Sequence, residues 1–217
     1  MSPLEGTSQI VVRRASVSEC GVIAGMHLAI QWGQLSSFGP AVVTAFYRTL
    51  LDSPWGFAFL AERDGRPVGF VSGMVHWRRF YRAFAQQNWL LAAKVLLREI
   101  FRIRRWKRLL ETSRYAATRA LPDAEFLSMV VYPEARGGGV AHAMTRELLA
   151  EFKRRGVREV RAMTTPDNVA TSRVLERAGF RFLGEAEIHP DEKILRYVIT
   201  LDESSVGTSG AAMKDSP

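Results

Sequence analysis

The stretch Arg136-Gly137-Gly138-Gly139-Val140-Ala141 is where residue types and spacing point most directly to chemistry. It follows a β-type run, Asp123 to Tyr132. It precedes Val140, Met144, Leu148 and Phe152, which recur at helical spacing until Gly156 stops the pattern. A helix starting there offers its unpaired first N–H groups and the positive end of its dipole to the loop, and that combination binds anions. Glycines let the backbone approach a diphosphate without Cβ clashes. Two common phosphate loops are excluded: GxGxxG would need Gly where His142 stands, and no GxxxxGK[ST] occurs. The alternative is a glycine-rich turn that holds no ligand.

Asp167-Asn168 precedes a second amphipathic run, so Asn168 is either a helix N-cap or a ligand contact, and one side chain can do both. Metal chemistry finds little to work with. Cys20 is the single cysteine, which excludes an internal disulfide and any multi-cysteine zinc or iron–sulfur site. His27, His76, His142 and His189 are scattered and form no HExxH, so no metal is expected.

The elements that must position these residues follow from periodicity. Gln9 to Arg14 reads as a strand, and Ser16 or Ser18 caps a helix to about Gln31 with Val22, Ile23, Met26 and Ile30 on one face. Another helix follows Pro40 through about Leu51. Gly56 to Glu62 and Pro67 to Val75 are β-type runs joined by Arg63-Asp64-Gly65-Arg66, a hairpin signal. Arg158 to Met163 is a strand, Asn168 to Ala178 a helix closed by Gly179, and Phe180 to Glu187 and Lys193 to Leu201 are the last strands. The 217 residues, 24% charged and 47% hydrophobic, suit one α/β domain over 9–201. A flexible N-terminus (1–8) and a disordered tail (202–217) are expected on either side.

The segments LSMVVYPEARGGGVAHAMTRELL and NVATSRVLERAGFRF resemble the GNAT superfamily of acetyl-CoA-dependent N-acetyltransferases. Arg136, Gly139 and Ala141 fit that family's R/Q-x-x-G-x-G/A loop, and Asn168, Glu176, Gly179 and Phe180 fit its downstream helix and strand. The resemblance implies a mixed, mostly antiparallel sheet flanked by helices, with acetyl-CoA as co-substrate. It also implies that the strand before the loop splays from its neighbour to admit the pantetheine arm. Cofactor contacts are then expected from the backbones of Val130 and Val131, from Arg136, Gly137, Gly138, Gly139, Val140 and Ala141, and from Asn168.

Direct transfer needs a base more than an acid. Deprotonating a lysine-like amine at neutral pH costs about 4.6 kcal/mol, whereas the leaving thiol lies only roughly 2 kcal/mol from its thiolate. The favoured base is Glu125, on a strand read as alternating Glu125, Leu127, Met129 and Val131 against Phe126, Ser128, Val130 and Tyr132. A solvated strand-end glutamate is the alternative. Glu62, Glu176 and His76 are weaker candidates. The sequence departs from the family where many members carry a tyrosine acid, because that position is Leu175. Protonation of the thiolate then falls to Ser172, one turn earlier, to another tyrosine, or to water.

Arg78 to Arg119 holds twelve Lys/Arg against Glu99 and Glu111, while the other residues are near neutral. This basic insertion, 76–123, separates the third and fourth strands. Within it Trp89, Ala93, Leu96, Ile100 and Ile103 face away from a stripe of Lys94, Arg98, Arg102 and Arg105, as in a long amphipathic helix. Three readings of that helix stand: a core-packed helix with a solvated face, peripheral contact of 89–110 with an anionic membrane surface, and nucleic acid, disfavoured because no nucleic-acid motif accompanies it. A cytoplasmic protein is expected, since no targeting segment or membrane span is visible. The expected activity is transfer of an acetyl group to a primary amine of a small molecule, an amino sugar among them, or of a protein. The rival is a non-catalytic adaptor that keeps the coenzyme A fold.

Overall fold

The computed structural model describes residues 9–30, 33–91, 93, 121–189 and 192–201. Seven strands form one sheet in the order β1 (Ile10–Arg14), β2 (Gly56–Arg63), β3 (Arg66–Met74), β4 (Ala124–Val131), β5 (Glu159–Thr164), β7 (Glu192–Thr200), β6 (Arg181–His189). Every neighbouring pair is antiparallel except β4 and β5. Those two are parallel because α5 (Val140–Arg154) carries the chain from the end of one to the start of the other. The mixed sheet flanked by helices is the α/β fold expected from the sequence.

Two apolar layers hold the helices on. On one face α5 and α6 (Val169–Arg177) bury Met144, Leu148, Phe152 and Leu175 against Phe57, Val71, Phe126, Ala162 and Tyr197. On the other, α1 (Cys20–Ala29), α3 (Pro40–Asp52) and α4 (Trp77–Gln87) bury Ile23, Met26, Phe46, Tyr47, Leu50 and Phe80 against Leu60, Phe70, Met74 and Val130. A short α2 (Gly33–Ser37) links α1 to α3. The β2–β3 turn has positive φ at Asp64 (53°) and Gly65 (72°), the pair of left-handed residues that a tight hairpin turn requires.

Three local expectations need correction. Ser16 and Glu19 form the capping contact, with Ser16 N–H donating to the Glu19 carboxylate at 2.8 Å. The residues between them, however, make a 3-10 turn (Val17–Glu19) that resets the helical phase. The buried stripe of α1 is therefore Cys20, Ile23, Ala24, Met26 and His27, while Val22 and Ile30 are exposed. The insertion begins with α4, an element the sequence reading missed, although Trp77, Phe80, Tyr81 and Phe84 recur at helical spacing. Its buried Phe80 meets Phe46 edge-to-face at 5.0 Å. The third correction is in β4.

The predicted alternation along β4 breaks. Registers with β3 run Met74↔Glu125 and Gly73↔Phe126, then Ser72↔Ser128, so Leu127 is an extra residue in a bulge. A bulge reverses which side chains share a face. Ala124 and Phe126 lie in the α5/α6 layer, and beyond the bulge so do Met129 and Val131, whereas Leu127, Val130 and Tyr132 pack on the α1/α3/α4 side. Glu125 and Leu127 are thus on the opposite face from Met129 and Val131, not on the same one. The basic stripe at Lys94, Arg98, Arg102 and Arg105 and most of the 89–110 segment lie outside the described residues, as do 1–8 and 202–217. No helix among the described residues is long and apolar enough to cross a membrane.

Candidate active site

Parallel pairing of β4 with β5 covers only Ala124↔Val160, Glu125↔Arg161 and Phe126↔Ala162. The remaining five residues of β4 have no partner on that side, so a cleft opens toward the strand's C-terminal end. Its wall can be assigned from hydrogen-bond alternation. Tyr132 N–H donates to Val68 C=O on β3 at 2.9 Å, and with the register Val130↔Phe70 this turns the peptide groups of Val130 toward β3 as well. Those of Met129 and Val131 turn into the cleft. Val131 C=O accepts from Arg136 Nε at 3.2 Å, which ties the loop's first side chain to the cleft wall. Of the two backbones expected to contact a cofactor, Val131 faces the opening and Val130 is engaged by β3. Met129, which the sequence reading did not single out, faces the opening too.

The glycine loop closes the end of this cleft. Gly137 (φ 81°) and Gly139 (φ 76°) are left-handed, the second as N-cap of α5, so Gly is needed at both. A Cβ built on either would meet nothing within 4 Å, and the surface beside them is open. Gly138 lies 3.5 Å, measured from such a Cβ, from the Arg63 guanidinium, which donates to Glu134 C=O at 3.2 Å. The first amides of α5, at Val140 and Ala141, thus end at an open, cationic loop. His142 is an exposed residue of the same helix.

Across the cleft, Asn168 caps α6: its Oδ1 accepts from Thr171 N–H at 3.2 Å, and its own N–H donates to Thr165 C=O at 3.1 Å. The cap reading is therefore realised, and it uses only the amide oxygen. Ser172, 9% exposed, sits one turn on. Its hydroxyl and those of Thr164 and Thr165 are buried atoms with no hydrogen-bond partner among the described residues. Buried hydroxyls left without a partner are costly unless a ligand satisfies them. Leu175 is fully buried in the α5/α6 layer, so this helix supplies apolar packing at that position.

Glu125 is on the other face. Its Oε2 accepts from Arg161 Nε at 3.0 Å and Nη2 at 2.5 Å, and Oε1 accepts no hydrogen bond among the described residues. The Arg161 guanidinium also stacks 5.5 Å from the Trp77 ring centre at the start of α4. Both charges are 9% exposed. Arg161 was not singled out from the sequence, although a charge at the middle of the apolar run Val160 to Met163 was a visible signal. Below the bulge the Tyr47 hydroxyl lies 2.8 Å from His27 Nδ1. Burial pushes its phenol up, partly offset by hydrogen bonds with Ser128 and Ser72, so it stays protonated.

The weaker base candidates fall elsewhere. Glu62 pairs with Arg13 at 2.6 Å, and Glu176 is exposed on α6. His76 contacts Asp123 at 3.3 Å beside a cavity of about 570 Å³ that Trp55, Arg155, Arg158 and Glu159 also line, at the opposite end of β4 from the loop. No group of three or more His, Cys, Asp or Glu suited to a metal occurs among the described residues.

Comparison with known proteins bears on this geometry. Residues 28–180 match the family model described as the acetyltransferase (GNAT) family. No curated protein is similar in sequence. Among solved structures, the chain is similar to a GCN5-related N-acetyltransferase from Kribbella flavida (TM-score 0.59, 15% identity, covering 88% of this chain and 98% of that one). It is similar to yncA from Salmonella typhimurium, solved with its cofactor acetyl-CoA (TM-score 0.58, 15% identity, 94% and 100%). An N-acetyltransferase from Staphylococcus aureus Mu50 superposes at TM-score 0.58 with 16% identity, over 90% and 100%.

Proposed function

The chain belongs to the acetyltransferase (GNAT) family and is an acyltransferase, and from that premise we propose that it moves the acetyl group of acetyl-CoA to a primary amine by direct attack of the amine on the thioester. The acceptor is a small molecule, an amino sugar among the candidates, or a protein. The observation that carries this reading is the cleft left by three-residue pairing of β4 with β5, closed at one end by a loop with two left-handed glycines.

The residues present fit the coenzyme. Amides at 137–141, with Arg136 beside them, suit a pyrophosphate. The peptide groups of Met129 and Val131 suit a pantetheine arm laid along β4 like an added strand, and the orphaned hydroxyls of Thr164, Thr165 and Ser172 supply donors along the opposite wall. Asn168 keeps an unused amide nitrogen. Acetyl-CoA supplies an activated acyl group and a thiol that leaves readily.

The two faces divide the work. Thr164, Ser172 and the loop are on the α5/α6 side, whereas Glu125 and Arg161 are on the α4 side. The acceptor then arrives from the face opposite the donor, where its amine can add to one face of the thioester carbonyl held in the cleft. Arg161 occupies Oε2 of Glu125, and Oε1 takes the ammonium proton directly or through one water. N–H groups of the cleft wall stabilise the negative charge that develops on the carbonyl oxygen. Ser172 Oγ donates to the departing sulfur.

A thiol-release assay with acetyl-CoA over an amine panel tests the activity. Coenzyme binding without release by any amine would favour the non-catalytic adaptor instead. Cytoplasmic location and peripheral contact of 89–110 with an anionic membrane belong to the same proposal. Replacing Arg98, Arg102, Arg105 and Arg108 by Gln should weaken binding to anionic vesicles, flatten its salt dependence and leave acetyl-CoA affinity intact. If the unmodified protein ignores such vesicles at low salt, the membrane contact is rejected.

A further inference from the structure

Arg196 on β7 is 5% exposed, and it pairs with no carboxylate among the described residues. Leu195, Tyr197 and Ile199 pack in the α5/α6 layer, so Arg196 between them projects from the opposite face. That is the face of Glu125 and Arg161: Arg161 pairs in register with Val198, and Met163 with Arg196. Two residues along β7, therefore, a second guanidinium lies beside the first. The first is neutralised by Glu125. Among the described residues the second makes one hydrogen bond, from Nη2 to Glu185 C=O at 3.4 Å, and its Nε is a buried donor with no partner. The Glu185 carboxylate is turned away, since Glu185 pairs with Leu195 and lies 3.7 Å from Lys193 on the other side of the sheet.

The backbone makes room for this cation. The β6–β7 register slips between Phe182 and Gly184, and Gly184 has φ 115° with only the Arg196 guanidinium near its absent Cβ, at 3.6 Å. A bulge and a left-handed glycine are thus arranged around one unpaired charge. Burying an unpaired cation is expensive, and an anion bound beside it would offset that cost.

We propose that Arg196 anchors an anionic group of the acceptor, so that the amine acetylated here carries a carboxylate or a phosphate. The identity of the reacting group as an amine rests on the transfer reading above. The distance follows from strand spacing. β7 lies about 4.8 Å beyond β5, and the guanidinium reaches on toward β6, so amine and anion are separated by about 7–12 Å. An amino sugar phosphate or an extended ω-amino acid meets that span.

The test uses matched pairs, ε-aminocaproate against hexylamine and glucosamine 6-phosphate against glucosamine, with coenzyme A saturating the glycine loop so that only the second anion site is read. The anionic member of at least one pair should raise the melting temperature of the wild type, and the neutral member should not. The pair that responds separates carboxylate from phosphate. Arg196→Met should abolish the difference, leave the shift caused by coenzyme A unchanged, and raise the melting temperature without ligand because the unpaired charge is gone. With an acceptor that turns over, the loss should be tenfold or more in kcat/KM, carried by KM. Should Arg196→Met not fold, Arg196→Lys keeps the charge without the fork and should retain part of the preference. Equal shifts within both pairs, or a preference that survives in both variants, overturns the proposal. An absent coenzyme A shift would count against the transfer reading alone, since the anion preference is then read as the difference between wild type and Arg196→Met, which share an unchanged glycine loop.

Discussion

Glu125 and Arg161 carry most of the chemistry that a single substitution can probe. Glu125→Gln should lower the rate near neutral pH and lose less at high pH, where the amine is already free, and a rate ratio constant with pH would reject Glu125 as base. Arg161→Gln asks a different question. Removing one partner of a buried pair leaves Glu125 uncompensated, at about 3–5 kcal/mol, or a fall of about 6–20 °C in Tm for a domain of this size. Ser172→Ala removes a hydroxyl that the fold itself does not use. Its stability should hold while the rate falls by at most about thirtyfold, the roughly 2 kcal/mol that thiolate protonation can return. Asn168→Ser separates two roles, since serine still caps α6 but lacks the amide nitrogen. Unchanged Tm with weaker acetyl-CoA binding is the expected result, and unchanged binding would leave Asn168 as a cap alone.

At the scale of elements, the loop between β4 and α5 and the bulge within β4 do separate jobs. The loop turns the first amides of α5 outward, which requires left-handed backbone at Gly137 and Gly139. Gly139→Val should strain that position by about 1–2 kcal/mol and abolish the rise in Tm that acetyl-CoA causes in the wild type. A full ligand shift in the variant would contradict the loop assignment. The bulge at Leu127 moves Glu125 to the face opposite Met129 and Val131. Without it, the proposed base and the proposed cofactor wall would share one side of the sheet. The clasp at the ends of the insertion, where Trp77 N–H donates to Asp123 C=O at 3.3 Å, holds α4 over the Glu125–Arg161 pair.

Across the whole molecule, the N-terminal edge is fastened by charge. Arg13 on β1 reaches Glu19 and Glu62, each at 2.6 Å, joining the edge strand to the 3-10 turn and to β2. Hydrogen bonds from Arg13 hold the Glu19 carboxyl down to about 2, against an ordinary 4.5. A depressed carboxylate contributes stability that is fully present above its unfolded value and lost as pH falls through the folded one. Wild type should therefore be more stable than Glu19→Gln above pH 4.5, and the two should converge as the pH drops toward 2, as denaturant melts at stepped pH would show.

Sequence alone determined the class of fold and the place of the glycine loop proposed to bind the coenzyme, because both rest on local rules: apolar periodicity, the Asp64-Gly65 turn, and glycines before an amphipathic helix. It also located Asn168 as a cap and Leu175 in place of a hydroxyl. Tertiary structure decided the rest. A bulge is a mismatch between two strands, so the phase of β4 cannot be read from β4 by itself. The partner of Glu125 is 36 residues away and meets it only through the β4–β5 register. Whether Ser172, Thr164 and Arg196 are satisfied or orphaned depends on every neighbour the fold brings near them. Those groups, left without a partner among the described residues, are invisible in the chain's order.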